Sequence, residues 1–168
     1  MSSAVRPATA DDVPALRRMK TSLLALEGSL HVATASEADW RRDLFAPDAR
    51  FSALVAEAGG KAVGMVTYEK RGFPGWSGCA FFMHDLYVDE AYRGRGLART
   101  LMVRLAAEAE THKAAFIELT VDAANGAREF YARMGFAHVR HCMTYIAAQP
   151  ALRDLTASAA PESEPAEA

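Results

Sequence analysis

The run AFFMHDLYV (residues 80–88), followed by YRGRG (92–96) and LARTLMVRLAAEAET (97–111), constrains the fold more than any other part of the chain. The first segment is nearly continuous in apolar character, as a strand covered on both faces is. The last carries Leu97, Leu101, Met102 and Leu105 inward and Arg99, Arg104 and Glu108 outward, which is the period of an amphipathic helix. A further strand-like run, AAFIELTV (114–121), comes next, so the segment reads as a parallel crossover.

Upstream, FSALVAEA and AVGMVTYEK are joined by Gly59, Gly60 and Lys61, a hairpin signature. Before them, residues 4–7 read as a short strand leading to TADD, where Thr9 and Asp12 can close a capping box ahead of a helix over about 13–26. That helix has Leu16, Met19, Leu23 and Leu26 on one stripe. Ser36 and Asp39 repeat the capping logic for a short helix through Phe45. Downstream, NGAREFYARMGF reads as a short helix ended by Gly135, and HVRHCMTYI (138–146) as a final strand. Trp76, in a turn-rich segment, is expected to plug a loop. The pattern predicts a mixed α/β (α+β) fold with an antiparallel half and a parallel crossover.

With 168 residues, 51% of them apolar, the chain can bury roughly two-thirds of its unfolded surface in one core, so one domain is expected over residues 1–150. From about Thr156 the composition is Ala, Pro, Ser and Glu without periodicity, and 156–168 are expected to be a disordered tail. The net charge of −2 owes much to the three glutamates there, so the body is near neutral and does not suit a nucleic-acid surface. No apolar run approaches the roughly 18 residues of a membrane span, and the N-terminus lacks a signal peptide's apolar block. A cytoplasmic protein is the expectation. Cys79 and Cys142 have no metal-site spacing and read as buried free thiols.

A strand, a glycine-bearing loop and a helix N-terminus concentrate free amides and the positive end of a helix dipole at one point. Gly94 and Gly96 remove the Cβ atoms that would keep a phosphate from the main chain, while Arg93 and Arg95 add charge. A diphosphate is the natural guest, although a turn with merely solvated arginines fits the loop alone. The G-x-G-x-x-G dinucleotide motif fails at Arg99, and no Gly-Lys-Ser or Gly-Lys-Thr of a P-loop occurs.

Arg93-x-x-Gly96-x-Ala98 resembles the [QR]-x-x-G-x-[GA] pyrophosphate motif of the GNAT N-acetyltransferases. Asn125 and FYARMGF (130–136) resemble that superfamily's second signature, and the resemblance extends to about Ile146. The layout is similar to the diamine (spermidine/spermine-type) acetyltransferase branch. It implies the GNAT fold, a mixed sheet of about six to seven strands with about four helices and a splayed pair formed by 80–88 and 114–121. It also implies acetyl-CoA as donor, without a metal. Its pyrophosphate would lie on the amides of Arg93, Gly94, Arg95, Gly96, Leu97, Ala98 and Arg99, and its pantetheine arm on the main chain of Leu86, Tyr87 and Val88. Asn125 joins this set by resemblance, but Tyr131 stands six residues after it where relatives have seven. A homodimer is expected by analogy.

Acetyl transfer to an amine needs a neutral nucleophile and a proton for the departing thiolate. An alkyl ammonium with pKa about 10.4 is neutral roughly once per thousand molecules near pH 7.4, so a proton route must exist. His84, Asp85, Glu27 and Glu118 are candidates. The resemblance makes Tyr131 the general acid. His84 and Asp85 stand where polyamine-acetylating relatives carry Glu-Asp, and Glu27 matches an acceptor-contacting glutamate. Neighbouring strand residues face opposite ways, so only one of His84 and Asp85 is expected to line the acceptor pocket. The expected function is transfer of acetyl to a primary amine of a small molecule, whether diamine-like, an amino acid or a xenobiotic. A non-catalytic acyl-CoA-binding sensor is the alternative.

Overall fold

The structure is a computed structural model that describes residues 3–72 and 78–140. β1 (Ser3–Pro7) passes through a 3-10 turn at Ala10–Asp12 into α1 (Val13–Leu26). The Asp12 carboxylate accepts the Thr9 amide at 2.8 Å and the Thr9 hydroxyl at 3.1 Å, so the expected cap is closed. α2 (Glu37–Phe45) opens on the Ser36–Asp39 box, with Asp39 N–H donating to Ser36 Oγ at 3.2 Å and Ser36 N–H to Asp39 Oδ2 at 2.9 Å. Next in the chain are β2 (Ser52–Ala58), β3 (Lys61–Gly72), β4 (Cys79–Val88), α3 (Leu97–Thr111), β5 (Ala114–Leu119) and α4 (Ala127–Arg133).

The five strands form one sheet in the order β1-β2-β3-β4-β5. The first three pairings are antiparallel, and the last, across the α3 crossover, is parallel. This is the mixed α/β architecture expected of the chain, with fewer strands than the expected six to seven. His138–Arg140 of the anticipated final strand carry no strand, and its remainder, with Cys142 and the tail, lies outside the described residues, as does Trp76.

Residues through Arg128 form one compact unit, and the described residues from Glu129 onward belong to a second. In the first unit the sheet is covered on both faces. Leu16 and Met19 of α1 and Leu44 of α2 pack with Ala53, Val55, Met65 and Tyr87 from alternate positions of β2, β3 and β4. Alternation turns Leu54 and Val66 to the opposite face, where α3 crosses the sheet with Leu97, Leu101, Met102 and Leu105 buried. The expected stripe on α1 needs one correction. Leu26 is 66% exposed, and in the last turn it is Leu24 that is buried, with Leu23 packed against the core.

Two irregularities of β4 set the geometry of its neighbourhood. Thr67 pairs with Asp85 but Tyr68 pairs with Met83, so His84 is an extra residue, a β-bulge. Pairing with β5 stops at Met83–Leu119, five residues before β4 ends, because the run over 114–121 leaves strand geometry after Leu119.

Candidate active site

The loop that opens α3 is shaped by its glycines. Gly94 and Gly96 have φ of 72° and 79°, a left-handed conformation that L side chains adopt only with strain. Gly96 stands at the N-cap with no side chain to satisfy the first helical amides. Among the described residues, no hydrogen bond takes the amides of Gly94, Arg95, Gly96, Leu97 or Ala98, while Thr100 N–H begins the helix ladder on Gly96 O at 3.0 Å. All but Leu97 and Ala98 of this stretch are exposed. The arginines act differently from the sequence expectation of added charge alone. Arg93 Nε donates to Val88 O at 2.9 Å with its guanidinium 5.6 Å from the Tyr87 ring, and Arg95 Nη2 donates to Ala91 O at 3.0 Å beside the Tyr92 ring. Both brace the loop that carries the amides.

The end of β4 lies just before this loop. Asp89 N–H donates to Val63 O at 2.8 Å, toward β3. Antiparallel alternation then turns the main-chain groups of Tyr87 and Asp85 to β3 as well, and those of Leu86 and Val88 to the other side, where β5 has already stopped. The splayed pair expected from the resemblance is thus present as a geometric feature. Of the three main-chain candidates, Leu86 and Val88 face the opening and Tyr87 faces its partner Met65.

On the α1 face of the same strand is a cleft of about 270 Å³. Arg17, Lys20, Thr21 and Leu24 line it from α1, where their spacing forms one helical face. Val32, Ala33 and Ala35 close one side, Trp40, Asp43 and Leu44 come from α2, and Phe51, Thr67, His84 and Asp85 complete the lining. Both His84 and Asp85 reach it, against the expectation that only one would. The bulge is the cause. Phe82 and His84 share the α1 face before it, Asp85 and Tyr87 share it after, and the extra residue cancels the alternation.

Asp85 is 7% exposed and fully engaged. Lys20 Nζ donates to its Oδ1, and the Thr67 hydroxyl donates to its Oδ2 at 2.7 Å. His84 is held edge-on between Phe51 and Phe82, ring centroids 5.1 and 4.8 Å away, with Nε2 3.6 Å from Glu69 Oε1. Glu69 in turn pairs with Arg71, whose Nη1 donates to Glu118 at 3.2 Å, so Glu118 is tied into a surface network. Glu27 is the exposed C-cap residue of α1 and is not among the lining residues. Asn125 makes a local turn, its Oδ1 accepting the Ala127 amide at 2.8 Å. Tyr131 belongs to the second unit, where its ring packs edge-on with Phe130 and Phe136 at 5.4 and 5.8 Å. Cys79 is the buried free thiol expected, near His112 O at 3.5 Å.

Sequence reasoning missed Arg17, Lys20, Thr67 and Glu69. The one available signal was the second stripe of α1, Arg17, Lys20, Thr21 and Leu24, which is as periodic as the apolar one. No group of three or more His, Cys, Asp or Glu among the described residues could hold a metal, and no described helix is long and apolar enough to cross a membrane.

A model of the acetyltransferase (GNAT) family matches residues 20–136. The human spermidine/spermine N(1)-acetyltransferase-like protein 1 is 32% identical over 108 residues, which are 60% of this chain and 15% of that protein. The chain therefore spans only a small part of the length of the curated relative it matches. Among solved structures, an integron cassette protein from the mobile metagenome of V. cholerae superposes with a TM-score of 0.77 at 25% identity, over 93% of this chain and 98% of that one. An aminoglycoside acetyltransferase from an uncultured soil metagenomic sample has a TM-score of 0.71 at 23% identity, over 87% and 99% of the two chains, which shows a shared fold.

Proposed function

Because this chain belongs to the GNAT acetyltransferase family, we propose that it is an acetyl-CoA-dependent N-acetyltransferase acting on a primary amine of a small molecule by direct attack. The observation that carries this reading is that a single strand, β4, borders the cleft and leads directly into the glycine loop. Asp85 faces the cleft, and its neighbour Leu86 turns its main chain to the open edge beside the Arg93–Arg99 loop, about 3.3 Å further along.

The residues fit the coenzyme on two counts. The amides of Gly94 to Ala98 are unpartnered among the described residues, and at Gly94 and Gly96 a Cβ is absent where a phosphate would approach. Leu86 and Val88 would hold the pantetheine arm. When bound, acetyl-CoA supplies an activated acetyl thioester. The chain's own contributions are those of orientation and proton transfer. The cleft orients the acceptor, His84 takes the amine proton directly or through water, and Tyr131 supplies the proton for the departing sulfur. Arg99 and Asn125 complete the donor side in this reading, and Glu27 is an acceptor contact only if the acceptor extends beyond the cleft. The same reading includes a cytoplasmic homodimer with no metal, nucleic-acid or membrane partner.

The test is thiol release from acetyl-CoA across a panel of amines, with Tyr131→Phe alongside. Release is expected with some acceptor, falling at least about tenfold in the variant. Tight coenzyme binding by calorimetry with no transfer to any amine would replace this reading with the non-catalytic sensor.

A further inference from the structure

Each carboxylate of the cleft that reads as the acceptor site is already paired with a cation. Both oxygens of Asp85 are engaged, one by Lys20 and the other by Thr67. Asp43, the other acid of the lining, accepts Arg42 Nε and Arg50 Nη2 on its Oδ1, each at 2.9 Å, so its charge is balanced by two guanidinium groups. A diamine or polyamine entering here would bring a second ammonium to a site whose negative charges are already balanced, and would meet two cations.

The cations, by contrast, keep unused donors. Arg17 gives only its Nε, to Ala35 O at 3.0 Å, and its two terminal nitrogens have no hydrogen-bond partner among the described residues. Lys20 has three N–H bonds and one acceptor among the described residues, and its side chain is 31% exposed, turned into the cleft. One helical turn apart on α1, the two present adjacent donors, and a guanidinium fork suits a carboxylate or phosphate.

Resting on the acetyltransferase reading, we propose that the acceptor carries an acid group beside its amine, and that Lys20 and Arg17 recognise that group. Lys20 has a double part. It neutralises Asp85, which removes the site's attraction for polycations, and it offers its remaining N–H groups to the acid. A cleft of about 270 Å³ admits a molecule of amino-acid size. Lys20 and Arg17 are thereby specificity-determining residues.

Lysine and cadaverine differ only by a carboxylate and make the decisive pair, with O-phosphoethanolamine against ethanolamine to distinguish a phosphate from a carboxylate. In the unaltered protein, kcat/KM is expected to favour the acid-bearing member of at least one pair by at least about tenfold. Lys20→Met should cut that preference about tenfold, mainly by improving the acid-free amine as Asp85 becomes available. Arg17→Gln, at a more exposed position, should raise KM for the acid-bearing amine about threefold more than for its partner. An acid-free diamine turned over as well as or better than its acid-bearing counterpart in the unaltered protein overturns the inference and leaves the acetyltransferase reading standing. So does a preference that neither variant changes. Failure to release thiol with any amine overturns the acetyltransferase reading and this inference with it.

Discussion

The loop from Arg93 to Arg99 and the cleft beside Asp85 meet on one strand, yet they are made of different material. The loop offers main-chain amides, and its Arg93 and Arg95 fold back to bond the carbonyls of Val88 and Ala91. The cleft offers side chains from α1, α2, β3 and β4, held to one another by Lys20, Asp85, Thr67, Glu69 and His84. A site made of main chain depends on backbone conformation, and so on two glycines. A site made of side chains can change its ligand through single substitutions. On the proposed reading, one scaffold can therefore keep its donor while its acceptor varies.

The largest expected effect breaks the donor half alone. Gly96→Val places a β-branched residue at φ 79° and should weaken coenzyme binding about 100-fold by calorimetry, through loss of one or two charge-assisted bonds. With no atom within 4 Å of the new Cβ, melting should fall only a few degrees, from backbone strain of about 1–2 kcal/mol. Unchanged coenzyme affinity would show that the amides are not the donor site.

Asp85→Asn addresses the acceptor half. It removes the charge that anchors Lys20 and should change acceptor KM about tenfold, with coenzyme affinity altered less than about twofold. Equal effects on both ligands would mean that the two halves are not separable across β4.

The smallest effect belongs to neither. Arg6 hydrogen-bonds Asp12 at 2.7 and 3.0 Å and Glu57 at 3.0 Å, pinning β1 to the start of α1. The Arg6 guanidinium holds the Asp12 carboxyl below the usual carboxylate range against the opposing effect of burial. A depressed folded pKa stabilises above the unfolded value of about 4 and is lost as pH falls through the lower folded value. Arg6→Gln should therefore cost about 1 kcal/mol at neutral pH, discounted for solvent exposure, and the gap to the unaltered protein should close in acid. Denaturant melts at neutral and acid pH measure it, and a gap that persists in acid would assign the loss to packing.

Much of this was legible because it is local. The caps at Thr9 and Ser36, the hairpin at Gly59 and Gly60, the inward stripe of α3 and the turn at Gly94 and Gly96 each depend on residues within a few positions of one another. The cleft was only partly legible. Asp85 and His84 were found, but their shared orientation was not, because a bulge is a property of how β3 and β4 register and not of β4 alone. Lys20 was missed because its partner lies 65 residues away, and nothing near it in the chain marks a salt bridge.

By itself the sequence determined the order of the elements, the two-sided burial of the sheet and the conformation of the loop at Gly94 and Gly96. Short-range sterics and hydrophobic period are enough to set these. Tertiary structure alone decided where β5 lets go of β4, that His84 and Asp85 look the same way, and that Lys20 neutralises the acid at the centre of the cleft. Strand register and the meeting of distant charges are settled only when separate elements pack, since each is a relation between surfaces that no single segment contains.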